Sequence, residues 1–303
     1  MGGALGAAWL SRFIANEHKS FSEYDPANPI IDVLYHQVPG LTREAHVVHL
    51  SDIHFGGPEA YVNAFIFERV IDKVNVALHN LGATPSSTAL IMTGDWVSKI
   101  EQPQFHIKAP NNGETNPADL PVMFEILRGL QAEHLVATLG NHDHKYTRRQ
   151  ELLRRILQSE THLLDIDNKF YLGDFPIPIM GLPDYTEFAS YYTQSQVAEI
   201  AKTLNSRDGF KIVASHNASI VDVAGLGKMV TDTHFFFGHT HGGHTKHKIL
   251  VPYALSDKYK SVYVRGIYKI GNNIVQVVDG LGQHPQATFR QIPAGIIINV
   301  YRN

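Results

Sequence analysis

From about residue 30 onward, short apolar runs alternate with longer stretches of helical periodicity. The runs at 30–38, 45–50, 89–93, 135–139, 169–172, 177–181, 210–215 and 233–237 read as strands. Residues 59–80 read as a helix, with Phe65, Val70, Val74 and Leu78 at helix-compatible spacing. Further helices are predicted over 118–132, 145–159 and 186–204. The tail from 261 to 301 is strand-rich, most clearly at 273–278 and 295–300. Residues 100–117 carry Pro103, Pro110, Asn111, Asn112, Gly113 and Pro117, which predicts a long loop. The alternation predicts an α/β fold.

The first 15 residues, MGGALGAAWLSRFIA, are mostly small or apolar. They are too short for a spanning helix of about 20 residues and lack the basic start of a secretory signal. They read as a surface helix or a trimmed anchor, the latter giving peripheral membrane contact. The expected organisation is an N-terminal extension over 1–40, with this apolar segment and an edge strand, and a single domain over 41–303. Cytoplasmic placement, or a peripheral position on an inner membrane, follows as an expectation.

Composition narrows the chemistry. The 303 residues carry a net charge of −3, so no basic field points to a nucleic acid duplex as partner. There is no cysteine, which excludes disulfides, thiolate metal sites and a cysteine nucleophile. There are 18 histidines, which favours sites built from imidazole and carboxylate.

Five apolar runs end directly in His, Asp or Asn: Asp52-x-His54, Gly94-Asp95, Gly140-Asn141-His142-Asp143, Ser215-His216 and Gly238-His239-x-His241. Strands of one open α/β sheet would bring such ends into one crevice. The two-residue spacing of Asp52 and His54, and of His239 and His241, points both side chains one way if the chain is extended. Taken singly, these pieces have plainer readings: a satisfied structural histidine at His216, a capped turn at Asn141–Asp143. Their joint order is far less common. His46 and His49 lie on the run before Asp52 and are expected to pack or face a neighbouring layer. His144, His234, His244 and His247 lie near the motifs, and Lys145, Arg148, Arg149, Arg154 and Arg155 mark a basic helix. That helix reads as a solvated face or as a surface for anionic lipid or a nucleotide diphosphate.

In this order the five blocks resemble those of the calcineurin-like metallophosphoesterases: D-x-H, G-D, G-N-H-D/E, H and G-H-x-H. The resemblance covers about residues 45 to 303. It implies a four-layer α/β/β/α sandwich of two mixed β-sheets flanked by helices. It also implies two divalent or trivalent metal ions, Mn, Fe or Zn. Asp52, His54, Asp95 and His241 would hold one; Asp95, Asn141, His216 and His239 would hold the other. A hydroxide between the two cations would attack phosphorus in line. His142 would protonate the leaving oxygen, with Asp143 orienting its ring. Gly181-Leu182-Pro183-Asp184, Gly242-Gly243, Gly280-Leu281-Gly282 and Arg290 resemble a bacterial, often membrane-associated branch near the UDP-2,3-diacylglucosamine pyrophosphatases. Asn217-Ala218 and His244 depart from its usual Asn-Pro and Gln. The expected reaction is hydrolysis of a phosphodiester or pyrophosphate bond. Alternatives are a general or cyclic-nucleotide phosphodiesterase, a phosphoprotein phosphatase, a catalytically silent scaffold and a metal-storage protein.

Overall fold

A computed structural model describes residues 25–56, 62–97, 119–144, 155, 157–164, 170–171, 174–184, 192–243, 261–282 and 294–303. The apolar N-terminal segment, the 100–117 loop, His244, His247, Arg290 and the basic residues from Lys145 to Arg154 lie outside them.

Twelve strands among the described residues form two six-stranded mixed sheets. The first runs β1-β12-β2-β3-β4-β5, from β1 (Ile30–Gln37), β12 (Gly295–Arg302), β2 (Ala45–Leu50), β3 (Thr88–Thr93), β4 (His134–Thr138) and β5 (His162–Leu163). Its strands β2 to β5 are parallel, and only the β12–β2 pairing is antiparallel. The second runs β10-β11-β9-β8-β7-β6, from β10 (Gly266–Ile270), β11 (Asn273–Val277), β9 (Thr233–Phe237), β8 (Lys211–Ala214), β7 (Ile179–Gly181) and β6 (Phe170–Tyr171). Here β11, β9, β8 and β7 are parallel, with antiparallel edge strands.

Three apolar layers hold the sheets and helices together. Helices α1 (Ala64–Asn80) and α2 (Asp119–Arg128) lay Phe67, Val70, Val74, Leu78, Met123 and Phe124 against Leu50, Leu90 and Met92 of the first sheet. Helix α3 (Gln194–Asn205) packs Val197, Ala201 and Leu204 onto Val213, Phe235 and Val275 of the second. Between the sheets lie Val47, Ala89, Ile91, Ile179, Ile212, Phe236 and Tyr301. Strands covered on both faces need continuous apolar runs, which is what the sequence shows. The result is the four-layer sandwich.

Two helices begin later than their periodicity predicts. Asn63 caps α1 by accepting the N–H of Ile66. Phe65, expected at helix-compatible spacing with Val70, Val74 and Leu78, is 65% exposed: five residues before Val70 puts it off the buried stripe, which Phe67 joins instead. Thr193 and Gln196 form a capping box that starts α3. Of the helix expected over 145–159, the described residues 155 and 157–159 are helical.

The five motif-bearing strands do not share one sheet. β2, β3 and β4 lie side by side in the first, and β8 and β9 in the second. The crevice forms where the carboxyl ends of both sets meet.

Candidate metal centre

At each of these strand ends the chain leaves extended geometry. Asp52, His54, Asp95, His239 and His241 have φ between 46° and 70°. Among the described residues Asp232 alone joins them as a non-glycine residue at positive φ. The extended spacing expected for Asp52 with His54, and for His239 with His241, is therefore wrong. Left-handed backbone is costly for these residues, and such strain collects at functional sites when the surroundings enforce it. Here the enforcement is visible. Gly94 O accepts from Asp52 N at 3.0 Å, Asp95 O accepts from His54 N at 3.0 Å, and Asp52 Oδ2 accepts from His239 N at 2.9 Å.

Two overlapping clusters result. In the first, one ligand-type atom each from Asp52, His54, Asp95 and His241 lies within 4.8 Å of all the others, and all four residues are buried. The Nε2 atoms of His54 and His241 are 3.3 Å apart, with their rings stacked. Asp95 Oδ2 is 3.7 Å from His54 Nε2, and Asp52 Oδ1 is 3.4 Å from His241 Nε2. In the second, Asn141 Oδ1 lies 3.1 Å from His216 Nε2 and 2.9 Å from His239 Nδ1. His216 Nε2 is also 3.2 Å from His239 Nδ1 and 3.3 Å from Asp95 Oδ2. Asp95 thus touches both groups.

Asp143 has a role in the backbone that its residue type did not show. Its Oδ2 accepts from Asp95 N at 2.9 Å and Gly140 N at 2.8 Å; its Oδ1 accepts from Trp96 N at 3.0 Å and Val97 N at 3.3 Å. The carboxylate is committed to four backbone N–H groups. Asp95 Oδ1 returns the contact by accepting from His142 N at 2.8 Å. The two motif turns therefore clasp each other through reciprocal carboxylates. The clasp needs close backbone approach: a Cβ on Gly140 would sit 2.3 Å from Asp95 Oδ1. The His142 ring lies edge-on to His54, with centroids 5.0 Å apart. That places it beside the first cluster.

Charge follows from these neighbours. Burial pushes the Asp52 carboxyl up to about 6, with Asp95 adding to it and His216 opposing. Burial and the charge of Asp95 push Asp143 up to about 8, against the pull of the Gly140 and Val97 N–H groups. All four of its partners are donors, which is the bonding of the ionised form. Burial also opposes charge on Asp95 and His216, yet their mutual attraction prevails. Asp95 is held well below the usual carboxylate range and His216 well above the usual imidazole range.

The family Calcineurin-like phosphoesterase matches the chain over residues 45–243, a span containing both clusters. The chain belongs to that family. No curated protein matches it. As a calcineurin-like phosphoesterase it is a metal-dependent phosphoester hydrolase, and the family uses divalent metals. The side chains fit such ions. Asp52 Oδ1 is buried and accepts no hydrogen bond, while its partner oxygen is occupied by His239 N. Imidazole nitrogen mixed with hard oxygen, without sulfur, suits Mn, Fe or Zn.

Three supporting features were given no role at the centre by the sequence reading, although Asp184 and Gly280-Leu281-Gly282 stood in the segments that resemble a family branch. Asp184, buried at the end of β7, adds to the negative charge that raises His216. It too is an Asp closing an apolar run, the signal used for the other five ends. Gly280-Leu281-Gly282 runs under the first motif, with Ser51 O accepting from Leu281 N at 3.2 Å and Asp52 O from Gly282 N at 2.6 Å. Thr93 O accepts from both Ser51 Oγ, at 3.2 Å, and His216 Nδ1, at 2.7 Å. A backbone acceptor of this kind leaves no mark in a residue pattern.

Proposed function

We propose that the chain hydrolyses a phosphodiester or pyrophosphate bond at a two-metal centre. Asp52, His54, Asp95 and His241 hold one ion, and Asp95, Asn141, His216 and His239 hold the other. The observation that carries this reading is the shared position of Asp95, whose carboxylate lies between His54 and His216. A bound metal pair supplies Lewis-acid activation of water and neutralises charge on the phosphate oxygens. The chain's own residues do the rest. Asp95 and Asp52 keep negative charge at the centre, and His216 presents Nε2 because Nδ1 is taken by Thr93 O. His142, beside the first cluster and outside the ligand set, donates a proton to the leaving oxygen.

For the substrate, the Gly181–Asp184 and Gly280–Gly282 segments support a lipid-linked nucleotide pyrophosphate such as UDP-2,3-diacylglucosamine. No helix among the described residues is long and apolar enough to cross a membrane. A lipid-linked substrate is itself held at a membrane surface, where the enzyme would meet it.

Asp95→Asn tests the centre. It should lower turnover of a bis(aryl) phosphate by about 10²–10³-fold, the scale of losing one charge-stabilising group, and bound metal should fall from two ions per chain. Undiminished turnover with two ions retained would refute the shared-ligand assignment. A panel of UDP-diacylglucosamine, cyclic nucleotides and phosphopeptides on metal-loaded protein decides the substrate, and preference for either of the latter two would overturn the pyrophosphate reading.

A further inference from the structure

His49 lies on β2, three residues before Asp52, and is wholly buried between the sheets. Its ring meets Phe236 of β9 edge-on, with centroids 4.7 Å apart. Gln276 Nε2, from β11, lies 2.8 Å from His49 Nδ1. An amide nitrogen only donates, so Nδ1 accepts and the ring proton resides on Nε2. That Nε2 points at Thr93 Oγ1, 3.0 Å away. Thr93 is the residue whose carbonyl takes His216 Nδ1 and Ser51 Oγ.

We propose that His49 is a positioning residue for the metal centre: it ties Gln276 of the second sheet to Thr93 of the first, and so fixes the carbonyl that sets the tautomer and direction of His216. The proposal rests on the reading of His216 as a metal ligand. Its physical basis is that a ligand imidazole is oriented by whatever accepts its other N–H. Here that acceptor is the carbonyl of the last residue of β3, where the pairing with Thr138 of β4 ends and the direction of the group depends on what else holds Thr93. Thr93 is held at its side chain by His49 and at its carbonyl by two donors from different strand ends. Burial drives the His49 ring down to about 3, so it stays neutral and keeps one donor and one acceptor at working pH. A charged ring would lose the acceptor that Gln276 requires. His49 thus joins three elements: β11, the end of β3 and, through Thr93 O, the start of the β8 loop.

The test uses the full chain and Co²⁺ alone as probe, followed by visible absorption and calorimetric titration. Thr93→Val removes the hydroxyl without changing side-chain shape much, and His49→Phe removes both ring nitrogens. Each should weaken one of the two Co²⁺ sites by about 10-fold or more, the usual loss from an outer partner of a metal ligand. The ligand-field spectrum of that ion should change with it. The double variant should be no weaker than the worse single one, because both remove the same bond. His49→Gln, whose amide reaches toward Thr93 Oγ1, should recover most of the affinity. If His49→Phe does not fold, Thr93→Val carries the test. Unchanged Co²⁺ affinity and spectrum in the single variants would overturn the proposal, whatever their melting temperatures, and so would losses that add in the double variant. His216→Ala separates the two levels. If it still binds two ions tightly, the ligand reading fails. If it loses one while the His49 and Thr93 variants keep both, only the positioning role fails.

Discussion

Two groups of histidines are buried in this molecule, and they are held in opposite ways. His216 lies at the strand ends beside Asp95, with Asp52 and Asp184 near, and is lifted well above the usual imidazole range despite its burial. His49 and His234 lie between the sheets among neutral partners. Gln276 and Thr93 bond His49, and Tyr301 Oη lies 2.7 Å from His234 Nδ1. Burial drives His49 to about 3 and His234 well below its usual value. All three are fully enclosed. Burial therefore does not decide whether an imidazole carries charge; the carboxylates at the strand ends do. The backbone repeats the contrast. The site strings together left-handed Asp and His residues, whereas the inter-sheet histidines sit in regular strands.

The largest expected effect comes from breaking the clasp that sustains the strained region. Asp143→Asn keeps the size of the side chain but replaces one acceptor oxygen with a donor. Two of the four N–H groups now bonded to Asp143 would then face an amide NH₂. Each unpaired buried donor costs about 1–3 kcal/mol, so the variant should lose about 3 kcal/mol or more in urea unfolding. Loss of bound metal should accompany it, because Asp95 N is one of the affected groups. A change below about 1 kcal/mol would mean that the carboxylate is protonated and the clasp is weaker than drawn.

The sequence carried the alternation of the main elements and all five strand ends, because buried parallel strands and glycine-preceded turns leave strong local marks; it missed the short edge strand β5 and did not single out β10. It could not divide the strands between two sheets. A strand covered on both faces reads alike in either, so β4 and β8 are indistinguishable by pattern. It also misplaced the geometry of Asp52 and His54: their left-handed φ is imposed by Gly94 O and Asp95 O, more than 40 positions away in the chain. Asp143 was legible as part of the site but not as a backbone clasp. Residue type shows that a carboxylate is present; only the fold shows which donors reach it. Phe65 was misplaced for a simpler reason, since a spacing of five from Val70 turns it away from the stripe that Phe67, Val70, Val74 and Leu78 share.

A smaller effect tests the inter-sheet histidines through pH. His49 and His234 stay neutral in the fold below the pH at which the unfolded chain takes up protons, near 6.5. Between that value and the folded value of about 3 for His49, the unfolded state binds more protons, so stability falls as pH falls. Each such histidine contributes a slope of up to about 1.4 kcal/mol per pH unit. Their share of the stability should therefore decline from pH 7 down to 5, against the opposite trend of the raised Asp52 and Asp143 carboxyls, and in urea unfolding His234→Phe should remove part of that decline. A slope unaltered by His234→Phe would mean that this ring is protonated in the folded protein, and the contrast with His216 would disappear.

The smallest expected effect marks how far the neutral region couples to the site. Tyr301→Phe removes one hydroxyl, leaving His234 Nδ1 without the neighbour now 2.7 Å away. The ring stack with His36, at 4.9 Å between centroids, needs no hydroxyl and survives. The loss should be about 1 kcal/mol, the net value of one hydrogen bond with a partner left behind. Metal affinity should stay as it was, because the path to His216 runs through His49 and Thr93 and does not pass through Tyr301. Weakened metal binding in Tyr301→Phe would show that the inter-sheet region acts on the centre as a whole. Unchanged binding there, beside weakened binding in Thr93→Val, would confine the coupling to the single side chain that reaches Thr93.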